Sequence, residues 1–174
     1  MPKFGIISDT HIEFWKDFYY KEIIDELKTV FRDVDKIIHV GDVCDEKFIE
    51  ELNKIAQTIV IKGNADKNKD FKDFIKITVG KYKIGIIHIL PEDLERFFKE
   101  NEINILIFGH THYPLIQEFK PHGLLLNPGS PINPKAPPLK PGFQKPKERR
   151  TVMLLNIDEN DIISTFIIEL KKNI

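Results

Sequence analysis

Seven side chains able to hold a metal recur at one address along the 174-residue chain. Asp9 follows the apolar run FGIIS, with His11 two residues later. Asp42 follows IIHVG, Asn64 follows TIVIKG and His88 follows IGII. His110 follows ILIFG, with His112 two further on. Each run reads as a buried strand, so five strands each end in one or two ligand-type residues. In α/β sheets, sites form outside the carboxyl ends of the strands, so residues distant in sequence converge on one rim. Two carboxylates, four imidazoles and one amide oxygen are too many for a single tetrahedral zinc. They suit two divalent ions with one shared carboxylate. Mixed nitrogen and oxygen ligation suits Mn, Fe, Co, Ni or Zn better than Ca or Mg. Two such ions about 3.5–4 Å apart can hold a hydroxide as nucleophile and neutralise the charge that builds on a phosphoryl group. Each residue alone has a plainer explanation. An aspartate after a strand is most often a cap or turn former, and a lone histidine is more often structural. That explanation would have to be repeated independently at five strand ends.

Positioning these residues requires sheets. KFGIIS, DKIIHVGD and TIVIKGN read as buried strands. Between them, Tyr20, Ile23, Ile24, Leu27 and Phe31, then Phe48, Ile49, Leu52, Ile55 and Ala56, recur at helical spacing. Strand–helix–strand–helix–strand predicts a parallel sheet with right-handed crossovers. FIKITVG and KYKIGIIHI flank a Gly80-Lys81 turn and read as a hairpin. Pro91 is expected to open a third helix carrying Leu94, Phe97 and Phe98. INILIFGH is a further strand. PLIQEF, GLLLN, RTVMLLNID and DIISTFIIEL are strands with short connections, predicting an antiparallel end to the chain. Two sheets packed face to face with helices outside are the expected result. Glycine directly precedes Asp42, Asn64 and His110, where it would permit a sharp turn. Strand alternation would point His110 and His112 to the same side. The aromatic run IEFWKDFYY is expected to begin a helix facing the core, with Trp15 or Phe18 left to line the site mouth or a dimer contact.

Composition bounds the function classes. With 41% apolar residues the chain can bury a core, and residues 1–174 suit a single domain. A net charge of −1 gives no overall field that would favour nucleic acid or a membrane surface. Cys44 is the single cysteine, so no intrachain disulfide can form and a reducing cytoplasm is the simple reading. No signal peptide and no membrane span are expected, because no apolar run reaches 18 residues. Residues 128–150 form one unusual stretch. Pro128 to Pro146 holds seven of the eleven prolines, which excludes a helix or central strand. From Lys135 to Arg150 six positive charges face only Glu148. A surface loop is expected there, either a solvated loop or oligomer arm, or a basic flap near an anionic substrate.

SDTH at Ser8–His11, GD at Gly41–Asp42, GNAD at Gly63–Asp66, His88 and GHTH at Gly109–His112 resemble the calcineurin-like metallophosphoesterases. The length and NPGS at Asn127–Ser130 resemble the small phosphodiesterase branch that also contains the retromer subunit Vps29. The resemblance implies an α/β fold, a four-layer α/β/β/α sandwich of two mixed sheets with outer helices. It implies a cytoplasmic phosphodiesterase in which a hydroxide bridging two divalent metals attacks phosphorus in line. Asp9, His11 and His112 would hold one metal; Asn64, His88 and His110 would hold the other; Asp42 would bridge them. Asn64 and His110 would also act catalytically by stabilising the developing charge. Manganese is the expected metal, with nickel, cobalt, iron, zinc or magnesium as alternatives. A small phosphodiester is the expected substrate. Neither nucleic acid nor a membrane is an expected partner, and a homodimer is a candidate assembly. The alternative is a Vps29-like scaffold that keeps the metal site and uses the fold for protein contacts. The complete ligand set favours the enzyme.

Two departures stand out. Many relatives carry, where Ala65 stands, a histidine taken to protonate the leaving group. His88 is followed by Ile89 where glycine is usual. Three neighbours of the motifs have two readings each. His39 is a partner of the site or, preferably, a buried structural histidine. Cys44 lies near the metals or is simply a small buried residue. Asp66 bonds a ligand histidine or stabilises its own turn.

Overall fold

The computed structural model describes residues 2–12 and 18–171, so the expectations for Trp15 and for the Phe18 side chain lie outside the described residues. The first apolar runs form β1 (Lys3–Ile7), β2 (Lys36–His39) and β3 (Gln57–Val60), joined by α1 (Phe18–Val30) and α2 (Glu46–Ile55). The hairpin is β4 (Phe74–Val79) and β5 (Tyr82–Ile87), followed by α3 (Leu94–Asn101) and β6 (Ile105–Ile107). The chain ends in β7 (Pro114–Phe119), β8 (Gly123–Pro128), β9 (Thr151–Ile157) and β10 (Ile163–Glu169). One sheet has the order β10-β9-β1-β2-β3, the other β4-β5-β6-β8-β7. β1, β2 and β3 are parallel, as their helical crossovers require. β9 runs antiparallel to β1, and β10 antiparallel to β9.

The second sheet corrects one expectation. β7 and β8 are antiparallel to each other, but β8 lies parallel to β6. Side-chain character explains the order. Leu124, Leu125 and Leu126 are apolar on both faces and suit an interior strand. β7 carries exposed Gln117 and Glu118 and opens on Pro114, so it takes the edge. A second correction concerns α3. It begins at Leu94 rather than Pro91, because the Asp93 carboxylate accepts the Arg96 N–H at 2.9 Å and caps the helix.

Strand alternation builds the layers. Ile6, Ile38 and Val40 of the first sheet face Ile84, Ile86, Ile105, Ile107 and Leu126 of the second. Ile7, Ile37 and Val152 point the other way, onto Ile23, Leu27 and Phe31 of the α1 region and Phe48 and Leu52 of α2. Leu106, Phe108 and Leu125 pack with Phe98 of α3. The result is the expected α/β/β/α sandwich. Fully burying each such large side chain stabilises the fold by about 1.5–3 kcal/mol. Packing over β1 is tight enough to require glycine at position 5, where a Cβ would sit 2.7 Å from the Phe31 ring. Between β8 and β9, residues 129–150 form neither helix nor strand. Among the described residues no helix is long and apolar enough to cross a membrane.

Candidate metal centre

The parallel strands β1, β2 and β3 end on one side of their sheet, as do β5 and β6 in theirs, and the ligand-type residues follow those ends. Their backbone is unusual. Asp9, His11, Asp42, Cys44, His110 and His112 all have positive φ, six of the eight such non-glycine residues described. Three loops thus share one device, two left-handed residues separated by one ordinary residue. Each left-handed residue costs about 1–2 kcal/mol and persists only where its surroundings over-determine it. The surroundings are bonds between loops: Asp9 N–H to Gly41 O (3.1 Å), His11 N–H to Asp42 O (2.9 Å) and Ile12 N–H to Val43 O (3.2 Å). The His110 N–H reaches the Asp9 carboxylate at 3.0 Å.

This revises the expectation for His110 and His112. β6 ends at Ile107, so the two histidines are not on a strand. Their common direction comes from the repeated left-handed conformation. The glycines are revised as well. Gly41 turns the chain, with φ +87, but Gly63 and Gly109 are absent from the positive-φ residues. They are required for space: a Cβ on Gly63 would meet Asp42 Oδ1 at 2.1 Å, and one on Gly109 would meet Ser8 Oγ at 2.1 Å.

The structure brings all seven residues together. The ligand atoms of Asp9, His11 and His112 lie within 4.8 Å of one another, and so do those of Asp42, His88 and His110. Asp42 Oδ2 stands between the groups, 3.5 Å from His11 Nε2 and 3.3 Å from His88 Nε2. Asn64 Oδ1 is 3.2 Å from His88 Nε2. His11 Nε2 and His112 Nε2 are 3.2 Å apart, and Asp9 Oδ1 is 3.5 Å from the latter. Asp9 and Asp42 are buried, while Asn64 and His110 are exposed at the rim.

Two tautomers follow from carbonyl partners. His88 Nδ1–H donates to Val40 O at 2.7 Å, and His112 Nδ1–H donates to Asn133 O at 2.7 Å. Each Nε2 is therefore turned inward, where its neighbours are carboxylate oxygen, amide oxygen or another imidazole nitrogen. A set of inward-facing lone pairs with acceptors on every side fits divalent cations. The protonation equilibria reflect the same crowding. Burial pushes the Asp9 carboxyl above its ordinary value, against hydrogen bonds from Ser8 and the His110 N–H. Burial also pushes Asp42 up, but the His88 and Ala65 hydrogen bonds and the His88 and His11 charges outweigh it and bring it to about 2. Burial lowers His88, yet its bonds to Asp42 and Val40 leave it raised.

Supporting residues decide whether this arrangement holds. Asp66 bonds no ligand histidine. Its Oδ2 accepts N–H groups from Asp42 (2.9 Å) and Gly63 (2.8 Å), and its Oδ1 accepts those of Val43 (2.8 Å) and Cys44 (2.9 Å). One carboxylate thus fastens the Asp42 loop to the Asn64 loop. Asn127 Nδ2 donates to Gly109 O at 2.9 Å, and Ser130 Oγ donates to Asp9 O at 2.7 Å. The NPGS motif signalled these two residues, but not their partners. His39 is fully buried, with Nε2 3.1 Å from Thr10 Oγ1 and its ring edge-on to Phe48, as suits a structural histidine. Cys44 is half-buried, with Sγ 3.9 Å from His11 Nδ1. At the position that lacks a proton-donating side chain, the Ala65 N–H instead donates to Asp42 Oδ1 at 2.8 Å.

Comparison with known proteins adds an independent line. The chain matches the calcineurin-like phosphoesterase superfamily domain over residues 3–160. It is 39% identical over 141 residues to a probable metallophosphoesterase of Methanocaldococcus jannaschii, covering 76% of this chain and 70% of that one. Vps29 of Entamoeba histolytica complexed with zinc superposes with a TM-score of 0.70 at 22% identity, covering 96% of this chain and 98% of that one. A structure described as a novel archaeal phosphodiesterase superposes with a TM-score of 0.66 at 24% identity, covering 95% and 99%. At these identities the structural likeness speaks for the fold alone.

Proposed function

Because the chain belongs to the calcineurin-like phosphoesterase superfamily, we propose that it is a phosphodiesterase whose seven convergent side chains hold two divalent cations. The observation that carries this reading is Asp42 Oδ2, placed between one group of Asp9, His11 and His112 and another containing His88 and His110. Asn64 joins the second group through its Oδ1 contact with His88. When bound, two cations supply a nucleophile at neutral pH and neutralise charge on the phosphoryl oxygens. The remaining steps belong to the chain. Val40 O and Asn133 O hold His88 and His112 in the tautomer that presents Nε2 to the centre. Asp9 and Asp42, buried beneath the rim, are screened from water and keep the ligands in one geometry. Asn64 and His110, exposed at the rim, meet the entering ester and stabilise charge that develops on its oxygens. Ala65 offers no side-chain proton, so esters with a weakly basic leaving oxygen react fastest. Manganese as working metal and a cytoplasmic setting belong to the same reading.

A panel of p-nitrophenyl phosphate and bis-p-nitrophenyl phosphate, each with Mn, Ni, Co, Mg or chelator, tests it. Diester turnover that requires a divalent metal is the expected result. No turnover with any metal would overturn the reading in favour of a protein-contact scaffold, the second reading, which the likeness of fold to Vps29 supports.

A further inference from the structure

The basic proline-rich loop is fastened to the candidate centre at its first residues. Ser130 Oγ donates to Asp9 O at 2.7 Å and accepts the Asn133 N–H at 2.9 Å. Asn133 O accepts His112 Nδ1–H at 2.7 Å, and the Lys135 N–H donates to His112 O at 3.0 Å. Pro134, between these two contacts, has a fixed φ and no N–H of its own. The far end returns to the same place, where Arg150 Nε–H donates to Pro131 O at 2.6 Å and Thr151 N–H to Ser130 O at 3.2 Å. The loop is thus closed on itself, with its entry pinned to two of the ligand-type residues.

Its charges divide into two kinds. Arg149 pairs with Glu169, and Arg150 with Glu26. Lys135, Lys140, Lys145 and Lys147 are exposed and meet no carboxylate among the described residues. Lys135 is the one whose backbone touches a candidate ligand, through its N–H to His112 O. An ammonium on a flexible four-carbon stem is a compact point charge suited to phosphate. A rigid backbone beneath it lowers the ordering cost of binding.

We propose that Lys135 forms a second anion subsite beside His112, for a further phosphate on the ester that the centre hydrolyses. This rests on the proposed phosphodiesterase reading and narrows its substrate class to esters bearing an anionic group besides the scissile phosphate. Lys140, Lys145 and Lys147 add a field around the entrance that steers such substrates and fades within about 10 Å at 0.1 M salt.

The test uses the manganese-loaded protein and two chromogenic esters, the p-nitrophenyl ester of thymidine 5′-phosphate and the same ester carrying a 3′-phosphate. The parent chain should favour the 3′-phosphorylated ester in kcat/KM by about fivefold at low salt, through KM. Lys135→Met should bring the ratio close to one, and Lys135→Arg should retain it. Titration calorimetry with thymidine 3′,5′-bisphosphate against thymidine 5′-monophosphate supplies a readout independent of turnover. The parent should bind the bisphosphate more tightly, and Lys135→Met should erase the difference. An unchanged preference in Lys135→Met by either readout would overturn the subsite. If neither ester is hydrolysed, the phosphodiesterase reading falls, and the calorimetric comparison alone decides the role of Lys135.

Discussion

Replacing Asp66 should loosen the centre without altering any ligand side chain. Its two oxygens accept four backbone N–H groups from the loops that carry Asp42 and Asn64. A hydrogen bond to a charged acceptor contributes about 1.5–3 kcal/mol. Asp66→Ala removes all four, and because Asp66 is only 8% exposed, water replaces them poorly. Allowing for partial relaxation, the loss should be about 4–6 kcal/mol. For a chain of this length that is a fall in Tm of about 8–24 °C. Asp66→Asn keeps one oxygen but sets an NH2 against two N–H donors, so it should lose about half as much. Thermal unfolding followed by circular dichroism in chelator measures both. The same scan with manganese should show a smaller metal-induced rise in Tm for each variant than for the parent, because the two loops no longer hold Asp42 and Asn64 in register. A Tm for Asp66→Ala within about 2 °C of the parent, with an undiminished response to metal, would contradict the fastening role of Asp66.

Three further outcomes follow. Asp42→Asn should abolish metal-dependent diester hydrolysis while the purified variant retains the parent's circular dichroism, since the carboxylate charge between the two groups is lost but the side-chain shape is kept. Gly63→Ala should lower manganese affinity by about 10–100-fold, because its Cβ would arrive 2.1 Å from Asp42 Oδ1; calorimetric titration measures this. The metal-free protein should lose stability in acid. Burial, with the His88 and His11 charges, holds His39 at about 3 against an ordinary 6.5. Between these values the unfolded chain takes up a proton that the native state refuses, so stability falls by about 1.4 kcal/mol per pH unit as pH drops. Asp42 adds a loss at lower pH: its carboxyl, at about 2 against an ordinary 3.8, contributes stability above 3.8 that disappears as pH falls towards 2. His88 acts in the opposite sense, because its raised value stabilises the native state below 6.5 and that contribution is lost as pH rises through the folded value. Tm measured in chelator from pH 7 to pH 4 should therefore fall less steeply for His39→Gln than for the parent.

The strands and their terminal residues were legible because burial writes itself locally. Apolar runs such as FGIIS and ILIFG carry their own evidence, and so does a ligand-type residue placed directly after each. What was not legible depends on partners distant in the chain. His110 and His112 share a direction through left-handed backbone held by neighbouring loops, not through strand alternation. Gly63 and Gly109 are required by the atoms of Asp42 and Ser8, which lie about 20 and 100 positions away in sequence; only Gly41 follows the turn rule. The four N–H partners of Asp66 and the tie between Lys135 and His112 are invisible for the same reason. The start of α3 differs from the Pro91 expectation because the Asp93 carboxylate caps the helix two residues later. The parallel placement of β8 beside β6 turned on which member of the β7–β8 hairpin could bear burial on both faces.

Seven residues from five strand ends are proposed to form one two-metal centre. An anomalous difference map from crystals grown with manganese tests it most directly. Two peaks are expected about 3.5–4 Å apart, one against Asp9, His11 and His112, the other against Asn64, His88 and His110, with Asp42 touching both. A single peak, or none at these side chains, would contradict it.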